Sequence, residues 1–257
     1  MRANAPDEMV FLSQYPDKSL SWYQHNYVYD DSAGEDIDVY IVNRGADLDR
    51  PDFTGGNNLA SRSRWIHAHE TFDHAEDDSS LTVGTNFGDG HGNCMLSKVR
   101  GHIYGSAKRS IQSSFVFRGA EKLLMVGLKT SSMANSAGGI WMGVGCSPTP
   151  PTRLMTTLMV SKILLQMMLR ELIDRDVTVV TGSGNRALST IDSWPQNFGD
   201  PNAGPLDYLP ELIVVGAVNN EGQIWTTWNW IFGTRVDYAK SLSQIYAPGN
   251  RINCANA

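Results

Sequence analysis

Three short turns carry polar side chains that a sheet-and-helix scaffold does not need for itself. They are Val42–Asn43–Arg44–Gly45, Gly88–Asp89–Gly90–His91–Gly92–Asn93–Cys94 and Thr181–Gly182–Ser183–Gly184–Asn185. In the second turn glycines flank a histidine, and without Cβ atoms the backbone there approaches a neighbour closely. The third is a small-residue turn that presents a side-chain amide at Asn185. A separate cluster, His67, His69, Asp73 and His74, offers different chemistry. His-x-His on an extended segment puts both imidazoles on one face, and Asp73 or His74 would complete a site of zinc type. That stretch sits in a polar loop, where such residues are commonly just solvated, so no metal is expected. Gly84 to Gly92 is glycine-rich, but no Lys-Ser/Thr follows, which argues against a phosphate loop. The cysteines Cys94, Cys146 and Cys254 are odd in number and widely spaced, so neither a disulfide scaffold nor a CxxC metal site is indicated. Cys94 and Cys254 read as small buried residues or as members of a disulfide with no partner assigned.

Such turns need elements to hold them. In an α/β sheet, reactive groups sit on the loops that follow the carboxyl ends of the strands. The run Ile37–Val42, bounded by Gly34 and Gly45, has the β-branched, apolar character of a buried strand. Val177–Val180 predicts another, ending in the turn Gly182–Asn185. Leu212–Val218 follows the Pro/Asn/Gly-rich loop 193–210, and a last short strand, Ser243–Ala247, ends at Pro248–Gly249. The clearest helix runs from Arg153 to Asp174, where Leu154, Leu158, Leu165, Leu169 and Leu172 recur at helical spacing after Pro150–Pro151. Gly92 to Ala107 holds a helix followed by a turn at Gly101 and Gly105. Residues 54–90 read as loop, and residues 110–152 hold apolar pieces with little pattern. Residues 1–36 read as an N-terminal segment wrapped on the domain that occupies 37–257. Strands that alternate with helices and are buried on both faces predict an α/β fold with a parallel sheet.

Composition narrows the function. With 21 Lys+Arg against 27 Asp+Glu, a net charge of −6 and a pI near 5.5, the chain has no electrostatic footprint for nucleic acid. Its 257 residues, 41% hydrophobic and 19% charged, suit one large globular domain. Apolar runs such as Leu123–Leu128 fall far short of the roughly 20 residues of a membrane helix. The start MRANAPDEMV lacks an apolar signal-peptide core.

Taken in order, these pieces resemble the subtilisin-like serine proteases (subtilases), more narrowly the fungal ones. The strand motif that supplies their aspartate reads Val39–Tyr40–Ile41–Val42–Asn43–Arg44–Gly45–Ala46–Asp47 and continues to Pro51–Asp52–Phe53. The histidine motif reads Gly90 to Lys98, followed by Tyr104–Gly105–Ser106–Ala107–Lys108. The oxyanion-hole turn reads Gly182–Ser183–Gly184–Asn185, and Leu209–Ala217 and Ile245–Gly249 follow in the family's order. The resemblance covers residues 1–108 and 153–257. It implies a subtilisin-like three-layer sandwich with a central parallel sheet, and hydrolysis of peptide bonds through an acyl-enzyme. It further implies a polypeptide substrate, no cofactor, a monomer, and an extracellular or secretory-pathway location. In such a site His91 takes the serine proton as general base and returns it to the leaving amine. A carboxylate at position 43 orients the imidazole and stabilises the imidazolium, and the amide of Asn185 donates to the oxyanion.

Two departures qualify the resemblance. Position 43 is Asn, which keeps the shape of Asp but not its charge; such a change in a serine-protease triad costs about 10⁴ in kcat. The family's nucleophile, in a Gly-Thr-Ser motif, comes after the strand that here ends at Pro248–Gly249, and no such serine occurs up to Ala257. Ser132, in Thr130–Ser131–Ser132–Met133–Ala134, lacks the leading glycine and precedes Asn185, so it is not the expected nucleophile. The expectation is therefore a subtilase domain with its C-terminal part missing and no turnover. The alternative is a pseudoprotease or peptide-binding remnant that keeps the cleft.

Overall fold

The computed structural model describes residues 1–15, 18–43, 46–55, 63–67, 91–116, 138–142, 154–183, 194–224, 226–228, 235–237, 243, 245–249 and 252–255. At its centre lies β1 (Asp38–Asn43), whose sequence DVYIVN alternates large apolar side chains across both faces. Tyr40 and Val42 enter one core and Ile41 the other, so the strand is covered on both sides. β1 pairs in parallel with β3 (Ile111–Val116) on one edge and β4 (Gly138–Met142) on the other, Ile41 standing opposite Ser114 and Trp141. With β2 (Ser63–His67), β5 (Thr178–Gly182), β6 (Ile213–Val218) and β9 (Ile245–Pro248), they form a seven-stranded sheet in the order β2-β3-β1-β4-β5-β6-β9. Every pairing in it is parallel. A separate antiparallel pair joins β7 (Thr226–Trp228) to β8 (Arg235–Asp237).

Parallel strands need crossovers, and helices cover the two faces. Three short elements come before the main covering helices: α1 (Asp7–Ser13), a 3₁₀ turn (Leu20–Tyr23) and α2 (Pro51–Thr54). On one face lies α4 (Leu154–Asp174). Its Leu165, Met168, Leu169 and Leu172, spaced along one stripe, pack against Tyr40, Val42, Val179 and Val214 of the sheet, with Phe198, Leu209 and Leu212 filling the same core. Each such fully buried side chain stabilises the fold by roughly 1.5–3 kcal/mol. The helix stops where Asp176 takes φ +63°, a left-handed cap that returns the Asp176 amide to the Ile173 carbonyl and the Val177 amide to that of Leu172. On the other face lies α3 (His91–Arg100), whose Leu96 packs with Ile41, Ala46, Phe53 and Ala255. Helix, sheet and helix make the three layers of an α/β sandwich.

The expected strands and the long helix are present within two residues of their expected ends, and α3 occupies the first part of 92–107. Three elements differ from expectation. β2 lies inside the stretch expected to be loop, and β3 and β4 lie inside the unpatterned 110–152. Their own sequences, SRWIH, IQSSFV and GGIWM, carry too few β-branched residues to announce strands; pairing along β1 and β3 supplies what local propensity does not. Residues 1–36 also hold more than a wrapped segment: α1 begins after Pro6 with Asp7 and Glu8 in its first turn, and buries Met9 and Val10 against Ala5 and Tyr27.

Candidate active site

The carboxyl ends of the parallel strands share one edge of the sheet, and two of the three chemistry-bearing turns start there. β1 ends at Asn43, and β5 ends at Gly182, where the Ser183 amide still bonds the Val215 carbonyl, 2.9 Å away. His91 is the first residue of α3. What ties the start of α3 to the end of β1 is Asn93, two residues into the helix and 1% exposed. Its side-chain oxygen accepts the Asp47 amide at 2.7 Å, four residues beyond Asn43. The backbone positions of Asn43 and His91 are thus drawn to one edge. Their side chains, and Asn185 entirely, lie outside the described residues, as do Ser132, His69, Asp73 and His74; His67 ends β2. Among the described residues, no group of three His, Cys, Asp or Glu could hold a metal ion.

Beneath this edge the structure holds polar supports that the sequence pattern did not mark as such. Asp52, in α2, is 3% exposed. Its carboxylate accepts the Ser97 hydroxyl at 2.6 Å and the Ile103 amide, while its carbonyl accepts the His102 amide at 2.8 Å. Gly101 follows α3 because nothing larger fits: a Cβ there would stand 2.0 Å from an Asp52 carboxylate oxygen. The Ser97 hydroxyl in turn accepts the Ala255 amide at 2.9 Å. Glu8, equally buried, accepts Lys98 Nζ at 2.6 Å and the Asn253 amide at 3.0 Å. Burial pushes the Lys98 ammonium below its usual pKa, and the Glu8 hydrogen bond and charge oppose that shift. The Lys98 ammonium also lies 5.3 Å from the centre of the Tyr104 ring. Cys94 and Cys254 are bonded to each other, which resolves the alternatives left open for them. Asp52 stands in the motif Pro51–Asp52–Phe53, but its bond with Ser97 and the close approach of Gly101 become visible only in the folded chain.

The arrangement of sheet and helices is similar to that of solved subtilisin-like proteinases. A cold-adapted subtilisin-like serine proteinase superposes with a TM-score of 0.60 at 16% identity, over 99% of this chain and 76% of that one. In sequence, a subtilisin-like protease of Coccidioides posadasii is 26% identical over 235 residues, which is 88% of this chain and 48% of that protein. This chain is related to the subtilisin-like serine proteases. A subtilisin-like serine protease of Davidiella tassiana is 31% identical over 107 residues, 42% of this chain and 17% of that one. The chain thus spans less than half the length of these curated subtilisin-like relatives. No protein-family model matches it. The subtilisin-like fold accounts for the layers, the parallel order and the sheet edge at which β1 and β5 end.

Proposed function

We propose that the edge formed by the end of β1, the start of α3 and the turn after β5 is a serine-endopeptidase site of subtilisin type. His91 stands at the base position, Asn185 at the oxyanion position and Asn43 where a carboxylate would be. The observation that carries this reading is the Asn93–Asp47 hydrogen bond, which sets the first turn of α3 against the exit of β1 in a subtilisin-like sheet. With an amide at position 43 the imidazolium lacks its stabilising charge, so this edge binds peptide with little or no cleavage. Polypeptide is the ligand class. The extracellular or secretory location is supported by the Cys94–Cys254 disulfide, a bond that persists in oxidising compartments. No helix among the described residues is long and apolar enough to cross a membrane.

The test uses His91 itself. In the Asn43→Asp variant, a carboxylate within reach of the ring favours the imidazolium, so His91 titrates at higher pH than in the wild type when followed by NMR. An unchanged His91 titration would show that the two positions do not face each other and would end this reading. Separately, a fluorophosphonate probe leaves the wild-type chain unlabelled and a chromogenic peptide stays intact; labelling of any serine would overturn the claim of no turnover.

A further inference from the structure

The peptidase reading uses His91 but not what is attached to the same helix three residues on. Cys94 is bonded to Cys254, 160 positions away in sequence, in the segment 252–255 that follows β9. That segment is held to the same neighbourhood without covalent help as well. The Ala255 amide donates to the Ser97 hydroxyl, and Asn253 donates its amide and its side-chain nitrogen to Glu8 at 3.0 and 3.2 Å. Glu8 and Ser97 are buried, whereas Cys94 and Cys254 are only half-buried. The covalent tie is thus the member of the set that a dissolved thiol reaches first.

We propose that the Cys94–Cys254 bond is a thiol-sensitive latch, which fixes the start of α3 and the segment 252–255 together and frees both when a dithiol reduces it. One thiolate of the dithiol attacks a sulfur of the bond, and the other cysteine leaves as a thiolate. The second thiol of the reductant then displaces the remaining cysteine and closes its own disulfide. Two electrons pass from the dithiol to the protein, and the two protons released by the dithiol end on Cys94 and Cys254. The opening is local because the two halves of the core are unequally involved. Segment 252–255 contributes only Ala255 to the core beside α3, and neither it nor α3 enters the core between α4 and the sheet. With the bond gone, the segment keeps only its hydrogen bonds to Ser97 and Glu8, and α3 loses a covalent anchor one turn from its histidine end.

Hydrogen exchange distinguishes a latch from a staple of the whole fold. The chain is studied in a Cys146→Ser background, so that no third thiol can join the exchange. On adding dithiothreitol, amides 253–255 exchange at least ten times faster and those of 93–100 also accelerate, while those of 165–172 and 213–218 keep their rates. The Cys94→Ser/Cys254→Ser variant shows the fast rates without reductant and does not respond to it. The reductant series decides the matter even if that variant fails to fold. In oxidised Ser97→Ala, residues 253–254 remain slow, since the covalent tie persists. Equal rates with and without reductant would overturn the proposal, as would equal acceleration of 213–218 or two free thiols at Cys94 and Cys254 before reduction. None of these readouts depends on peptidase chemistry, so the latch and the proposed site fail separately.

Discussion

The two faces of the sheet are built in opposite ways. The α4 face is mainly apolar: twelve buried residues, from Tyr40 to Val214, make its core, and among the described residues no buried carboxylate joins them. The α3 face has a smaller apolar cluster around Leu96 and Phe53 and sets beside it the buried carboxylates of Glu8 and Asp52. Apolar burial is non-directional and tolerates small rotations of a helix; a hydrogen bond to a buried carboxylate does not. The face whose helix begins at His91 is the one fixed by directional bonds, and the opposite face is fixed by area.

The sharpest way to break this contrast is to weaken each face and compare. Leu169→Ala removes a side chain that is 1% exposed from the middle of the α4 core, and should cost about 3 kcal/mol in urea unfolding. Local exchange in residues 93–100 should not change below the global transition. If that helix loosened as much as α4, the two faces would be one cooperative unit and the contrast would be lost.

Asp52→Ala is the matching cut on the other face. It leaves the Ser97 hydroxyl and the Ile103 amide without their acceptor, at a global cost of about 2 kcal/mol. Although smaller globally, it should act where Leu169→Ala does not, speeding exchange in 97–103 well before the protein unfolds. Silence there would mean that the carboxylate only fills space.

The same contrast explains what the sequence made legible. The α4 core was legible as Leu165, Leu169 and Leu172 on one helical stripe and as the continuous apolar run of β6, because burial of area leaves a trace in residue type. The roles proposed for His91 and Asn43 rest on motif order rather than on any local physics. The polar supports left no periodic trace. Glu8 and Lys98 are 90 residues apart, Asp52 and Ser97 are 45 apart, and Cys94 and Cys254 are 160 apart, so each pair meets only after the sheet has formed. β3 was missed for a related reason, since its neighbours β1 and β2 on either side define it as a strand more than its own residues do.

The smallest effect comes from pH and separates the faces by a property that apolar packing lacks. Lys98 has a folded pKa lowered first by burial, with the Glu8 hydrogen bond and charge pulling the other way. Between that lowered value and the unfolded value of 10.5, the unfolded chain holds more protons at Lys98 than the folded one. This group's contribution to stability therefore rises with pH across that window. Tyr27, raised by burial and by Tyr29, works in the opposite sense above pH 10, as the folded protein then holds the extra proton. Its contribution cancels when the wild type is compared with Glu8→Gln/Lys98→Met, in which the buried pair is neutral. Urea unfolding from pH 8 to 10 should show the wild type gaining on the double variant as pH rises, while Leu169→Ala stays a constant distance below the wild type. A gap between wild type and double variant that narrowed instead would mean that Glu8 outweighs burial at Lys98. The α3 face would then be stabilised by its ion pair, and no longer merely oriented by it.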